Sequence, residues 1–184
     1  MRVISGSARG RRLLSLEGLD TRPTTDRVKE SVFNIIMPYI RGAQVLDLFA
    51  GSGAMGIEAL SRGAKSALFA ENNSAACEVI QKNLTDTKLS QNAALYRGDA
   101  LSFLKSTKEK FSLVFLDPPY DGGFYLPVLT EIAEREILAP EGVLVLEKRA
   151  DAHIEVPSGY EVIKDRKYGK TAILVLTYQK GETI

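Results

Sequence analysis

From residue 44 onward, short apolar runs take turns with stretches whose apolar residues recur at helical spacing. Residues 44–49, 66–70, 93–96, 111–116 and 142–147 read as strands. Residues 54–62, 73–84, 101–105 and 126–135 read as helices, and the second of these places Ala76, Val79, Ile80 and Leu84 on one face. Strand and helix alternating at this pace predict a doubly wound α/β domain, because parallel strands need crossover connections that helices supply. The ending departs from that rhythm. Residues 160–165 and 171–178 flank the turn-like Lys167-Tyr168-Gly169-Lys170 and predict an antiparallel hairpin.

The first 42 residues read as a unit of their own, ahead of a main domain over 43–184. Val3-Ile4 and Leu13-Leu14 flank Ser7-Ala8-Arg9-Gly10, a pattern for a small hairpin. Thr21-Arg22-Pro23-Thr24-Thr25 then leads into a helix from about Asp26, with Val28, Val32, Ile35 and Ile36 on one face and Thr24 or Thr25 as its cap.

Composition narrows the class. With 184 residues, 45% hydrophobic and 26% charged, the chain can bury a real core. Cys77 has no disulfide partner in the chain, and with His153 as the single histidine no zinc-like cluster forms. Both read as structural or incidental. The polar, arginine-rich start is unlike a signal peptide, and no apolar run nears the roughly 20 residues that cross a bilayer. Cytoplasmic location is the expectation, as is a monomer, since no apolar patch stands out. The net charge of +1 hides an asymmetry: residues 1–42 hold eight Lys/Arg against four Asp/Glu, and the remainder 16 against 19. Arginine concentrated at one end suits a phosphate-bearing partner, although a solvated basic surface has the same composition.

Chemistry gathers where strands end. Val45-Leu46-Asp47-Leu48-Phe49-Ala50-Gly51-Ser52-Gly53-Ala54-Met55-Gly56 joins the first strand to the first helix, and Gly51, Gly53 and Gly56 satisfy the G-x-G-x-x-G pattern. Glu71, with Asn72 beside it, lies 20 residues past Gly51 at the second strand's end, where an acid accepts hydrogen bonds from ribose hydroxyls. That spacing admits either a nicotinamide cofactor or S-adenosylmethionine. Asp47 favours the second: a carboxylate just before the loop repels a pyrophosphate but suits the sulfonium and ammonium of S-adenosylmethionine. Asp99, in Gly98-Asp99-Ala100, adds an acid where an adenine amino group would lie, although it also suits a helix N-cap. Glu58 on the first helix reads as solvent-facing or locally paired.

The fourth strand stops at Asp117-Pro118-Pro119-Tyr120. Prolines neither continue a ladder nor donate a backbone proton, so carbonyls here are free to accept. An acceptor side chain, acceptor carbonyls and an aromatic plane suit a flat ring bearing an exocyclic amino group, as a nucleobase does. The bland reading is a rigid strand-to-loop turn.

A nucleotide-binding parallel sheet closed by an antiparallel hairpin is typical of class I methyltransferases. Asp117-Pro118-Pro119-Tyr120 with Phe49-Ala50-Gly51-Ser52-Gly53 resembles the amino-group methyltransferases of nucleic acids. Adding Arg2-Val3-Ile4-Ser5-Gly6, Gly10-Arg11, the segment from Thr21 to Glu30, Phe33-Asn34 and Leu60-Ser61-Arg62-Gly63-Ala64, the chain is similar over essentially its whole length to the bacterial 16S ribosomal RNA guanine-N2 methyltransferase family. The resemblance implies methyl transfer from S-adenosylmethionine to one guanine N2, at position 966 of 16S rRNA, free or within an assembling 30S subunit, with no metal. It implies that Asp47, Phe49, Gly51, Gly53, Glu71, Asn72, Asp99 and Ala100 hold the cofactor. Asp117 and the Pro118 carbonyl would accept from the guanine amino group, with Pro119 shaping the turn and Tyr120 stacking on the base. Arg2, Arg9, Arg11, Arg12, Arg22, Thr24 and Arg27 would grip RNA. An adenine-N6 methyltransferase would share the acceptor motif, a nicotinamide oxidoreductase the glycine loop, and a non-catalytic RNA-binding module the basic start.

Overall fold

The computed structural model describes residues 1–16, 26–119 and 122–179. Arg22, Thr24 and Tyr120, and the expected caps Thr24 and Thr25, lie outside the described residues. Seven strands form one sheet in the order β3-β2-β1-β4-β5-β7-β6. The strands are β1 (Gln44–Leu48), β2 (Ser66–Glu71), β3 (Ala93–Arg97), β4 (Phe111–Leu116), β5 (Leu138–Arg149), β6 (Tyr160–Tyr168) and β7 (Thr171–Tyr178). The first five pair in parallel, and β7 runs antiparallel between β5 and β6. The doubly wound sheet and its closing hairpin are as the pattern predicts.

Period-two burial sorts the sheet into two faces. Val45, Leu113, Phe115, Val143, Val145, Ile173 and Val175 share a cluster with α1 (Asp26–Ile35), α2 (Ala54–Ser61) and α3 (Ser74–Thr87). Leu46, Leu48, Val114, Leu116, Leu144, Leu146, Leu174 and Leu176 pack with α4 (Ala100–Ser106) and α5 (Tyr125–Glu134) on the other face. Two-sided burial is why β4 reads as a nearly continuous apolar run and not as an alternating one. No helix among the described residues is long and apolar enough to cross a membrane.

The N-terminal hairpin carries a single antiparallel bridge, Arg2 to Arg12, and Val3, Ala8 and Leu13 are buried in the cluster that α1 and α2 share. The Ser7 N–H donates to the Ser61 carbonyl at 2.8 Å, and the Ala8 N–H to the Ser61 hydroxyl at 2.9 Å. Gly6 makes this approach possible: at φ +86° a β-carbon there would stand 1.8 Å from the Ser61 oxygen.

Glu58 overturns its reading as a solvent-facing residue. It is fully buried, and its carboxylate accepts from the Ile4 N–H at 2.8 Å and the Ser5 N–H at 3.0 Å while pairing with Lys29 at 3.2 Å and Arg62 at 2.7 Å. The local pair with Arg62 stands. Its partners at residues 4, 5 and 29 come from far away in sequence. Lys29, also buried, has its ammonium pushed down by desolvation against the pull of Glu58, and donates to the Arg2 carbonyl.

Candidate active site

All four acids singled out by sequence stand at the ends of β1, β2, β3 and β4, on the side where parallel strands deliver ligand sites. β1 lies between β2 and β4, with Asp47 opposite Phe69 on one side and Phe115 on the other. Asp117 is the first residue past β4, and Glu71 the last of β2.

Asp47 is buried, and one of its oxygens accepts from the Gly56 N–H, in the first turn of α2, at 2.8 Å. That helix starts at Gly53, at φ +74°, with no side-chain cap, so Asp47 supplies the anion its N-terminus favours. Burial nevertheless prevails over this hydrogen bond and, with the charge of Glu71, raises the Asp47 carboxyl to about 7. Gly56 is required by contact: a β-carbon would stand 2.4 Å from the Phe69 ring and 3.1 Å from the Asp47 carboxylate.

Glu71 holds the loop's tip. Its carboxylate accepts from Gly51 N–H at 2.8 Å and from Asn73 N–H at 2.9 Å, each oxygen keeping a lone pair for a ligand hydroxyl. Gly51 sits at φ +56°, and a β-carbon on it would meet no protein atom within 4 Å. Phe49 adopts the same left-handed region at φ +57°, a strained conformation for an aromatic, with its ring 5.1 Å from that of Phe124. Asp99 performs its structural role, capping α4 by accepting from Ser102 N–H at 2.8 Å, and remains exposed with Ala100 buried behind it. Asn72 is exposed beside Glu71.

Asp117 opens onto solvent at the cleft but is crowded from the sheet side. That desolvation, then the charges of Glu147 and Asp47, raises its carboxyl well above the usual carboxylate range. Pro118 is buried and Pro119 exposed. Glu147, near the end of β5, was not singled out by sequence. The rule that found the other acids, a carboxylate at the end of a predicted strand, would have found it.

The donor set fits S-adenosylmethionine. Acceptors crowd the loop, no hydrogen bond or ion pair joins a cation to Asp47 or Glu71 among the described residues, and the glycine tip leaves room for a ligand. Among the described residues no group of His, Cys, Asp and Glu is arranged to hold a metal ion. A separate concavity of about 670 Å³ opens at the opposite end of the sheet, between Tyr39, Leu138, Ile163 and Tyr178, and shares no residue with the acids.

The basic residues divide. Arg9, Arg11, Arg12 and Arg27 are exposed, while Arg2 pairs with Asp26 at 3.2 Å. The Ser7–Gly10 turn lies against Ser61, at the end of α2 remote from the cleft, about 12 Å down an eight-residue helix. The chain then returns toward the loop. Leu14 exchanges hydrogen bonds with Asn83, whose Nδ2 also donates to the Ser52 carbonyl at 2.9 Å.

A seven-stranded sheet in this order, with acids around a glycine loop and an acid-proline turn after β4, defines a class I S-adenosylmethionine-dependent methyltransferase fold. The chain belongs to the family described as Conserved hypothetical protein 95, which it matches over residues 1–177. It is 42% identical to YlbH of Bacillus subtilis over 95% of this chain and 97% of that protein. It is 37% identical to the Ribosomal RNA small subunit methyltransferase D of Haemophilus influenzae, covering 92% of this chain and 89% of the relative. The solved structure of Escherichia coli yhhF superposes with a TM-score of 0.86 at 36% identity, covering 97% of this chain and 98% of that one.

Proposed function

We propose that the protein transfers a methyl group from S-adenosylmethionine to the exocyclic N2 amino group of a guanine in small-subunit ribosomal RNA. The observation that carries this reading is the placement of Asp117 and Pro118, an acceptor pair at the end of β4, on the same cleft as Asp47 and Glu71. The name of the Haemophilus relative supports the RNA substrate. The resemblance of the acid-proline motif and the arginine-rich start supports the guanine.

Bound S-adenosylmethionine supplies an electrophilic methyl group. Asp47 places negative charge by the loop, where a cationic ligand gains from it, and Glu71 offers its free lone pairs to ribose hydroxyls. Gly51 and Gly53 let backbone approach the ligand. Asp99 and Asn72 stand exposed at the ends of β3 and β2, with Phe49 and Ala100 as apolar walls. Asp117 and the Pro118 carbonyl accept the two amino protons of the base. An aromatic amine is a weak nucleophile because its lone pair is spread into the ring, and two acceptors favour the pyramidal form that localises it. They also stabilise positive charge developing on nitrogen, and the raised proton affinity of Asp117 suits it to take the departing proton. Tyr120 stacks on the base, which must leave its helix or loop at a cost of a few kcal/mol.

Incubation with methyl-labelled S-adenosylmethionine and, separately, small-subunit RNA, 30S particles and DNA tests the reading. Label recovered as N2-methylguanosine from RNA is the expected result. Label in N6-methyladenine, or in DNA alone, overturns it.

A further inference from the structure

β6 is one of the two edge strands of the sheet, and its charges are unevenly placed. Its first residues are buried Tyr160, Glu161 and an exposed Val162. Beyond them come Lys164, Arg166 and Lys167, then Lys170 in the turn, all exposed, against one acid, Asp165. None of the four cations has an acidic partner within 4 Å among the described residues.

The register says which end this is. Arg149 at the end of β5 pairs with Thr171, and Thr171 pairs with Tyr168, so the β6–β7 turn stands at the cleft end of the sheet. One row runs Glu147, Ile173, Arg166 across β5, β7 and β6. Glu147 acts electrostatically on Asp117, so Arg166 lies about three strand spacings, about 14 Å, from the acceptor. Arg166 and Lys164 pair with Ile173 and Val175, which belong to the face that also carries the N-terminal hairpin and α1.

Lysines on an edge strand commonly serve only to prevent sheet-to-sheet pairing. That role favours no particular end of the strand. Here the end remote from the cleft carries an acid, Glu161, and an exposed Val162, and the cations lie from Lys164 onward toward the cleft. The Arg9 turn, by contrast, packs at the far end of α2.

We infer that the tip of the β6–β7 hairpin, through Arg166, Lys167 and Lys170 with Lys164 behind them, is an RNA-docking surface that binds backbone phosphates flanking the target nucleotide. It rests on the RNA substrate proposed above.

The test compares Arg166→Gln/Lys167→Gln/Lys170→Gln with Lys65→Gln/Lys105→Gln/Lys108→Gln, three exposed lysines at the opposite end of the sheet. Direct binding to transcribed small-subunit RNA is measured by anisotropy across salt concentrations, alongside methyl transfer. The hairpin variant should bind RNA about tenfold more weakly at ~150 mM salt, with a log–log salt slope shallower by about 2 to 3. S-adenosylhomocysteine affinity and kcat at saturating RNA should be retained, and the control triple should bind nearly as wild type. Equal weakening in both triples, or a monodisperse hairpin variant with unchanged affinity and slope, overturns the inference; so does a hairpin variant that only aggregates while its monomer binds normally. Binding lost with the hairpin but label absent from guanine N2 in wild type would sustain the docking surface and overturn the proposed reaction instead.

Discussion

The Asn83 side chain donates to the carbonyl of Ser52, 31 positions earlier, at 2.9 Å, and the same amide exchanges two hydrogen bonds with Leu14. One fully buried side chain therefore joins the N-terminal segment to the glycine loop. Asn83→Ala leaves an N–H and two carbonyls without that partner, at a cost of about 1–3 kcal/mol. Chemical denaturation should show that loss, and calorimetric titration should show weaker S-adenosylhomocysteine binding. Asn83→Asp keeps the acceptor for Leu14 but faces two carbonyls with a carboxylate, and should be no better. Lost stability with unaltered ligand affinity would mean that the loop is set without the Leu14 strand.

Glu58 performs the same joining lower on α2, with Ile4, Ser5, Lys29 and Arg62 as partners. Glu58→Ala strands the Lys29 ammonium in the interior, and removal of one member of a buried ion pair costs about 3–5 kcal/mol. Hydrogen exchange at the Ile4 and Ser5 amides should accelerate more than exchange in β1. Uniform acceleration across the domain would show that the hairpin has no separate opening.

How much of this was legible follows from the range over which each feature is determined. β4 is read at its true bounds because a six-residue run, five of them buried, ends at Asp117 and two prolines. β5 begins four residues before its expected start. Its opening contains Pro140 and Glu141, the latter at φ +61°, and the register to β4 shifts between Phe111 and Leu113. Such a start follows no two-residue period. The acids at strand ends are legible because topology alone brings strand ends together. Glu58 is not, since a lone carboxylate in an apolar helix acquires its meaning from residues 4, 5 and 29. Asp99 was open between cap and ligand group, and the structure shows the cap.

Gly56→Ala places a methyl group against the Phe69 ring and the Asp47 carboxylate. Overpacking of this kind costs about 1–3 kcal/mol, and shifting either neighbour disturbs the bond from Gly56 N–H to Asp47. Thermal melts should fall, and S-adenosylhomocysteine affinity with them. A variant that binds normally would show that the Asp47–Gly56 contact is dispensable to the loop.

Asp47 gives stability a definite pH dependence. Its carboxyl is raised to about 7 in the folded chain against about 3.9 unfolded, so its share of stability, about 4 kcal/mol, is present below pH 4 and is lost as pH rises through 7. Asp47→Asn keeps an acceptor for the Gly56 N–H and removes this dependence. Without ligand, the variant should match wild type near pH 4 and exceed it at pH 8.5. Binding of a cationic ligand should show the opposite trend in wild type, tightening through pH 7 with proton release in calorimetry. Parallel stability curves for the two proteins would refute the assignment.

Asp117 is raised by crowding and then by the charges of Glu147 and Asp47, so it loses its proton later than an ordinary carboxylate. If the ionised form accepts the amino protons, methyl transfer should climb as pH rises and level off once Asp117 is deprotonated. Asp117→Ala should lower kcat by at least about a hundredfold, in the range for loss of a general base or charge-stabilising acceptor, while largely retaining S-adenosylhomocysteine affinity. Glu147→Gln removes the stronger of the two like charges, which lowers the Asp117 carboxyl and should move the ascending limb of the pH–rate profile to lower pH with the plateau kept. The shift separates an electrostatic role of Glu147 from a structural one, because a misfolded site would lower the plateau and leave the midpoint where it was.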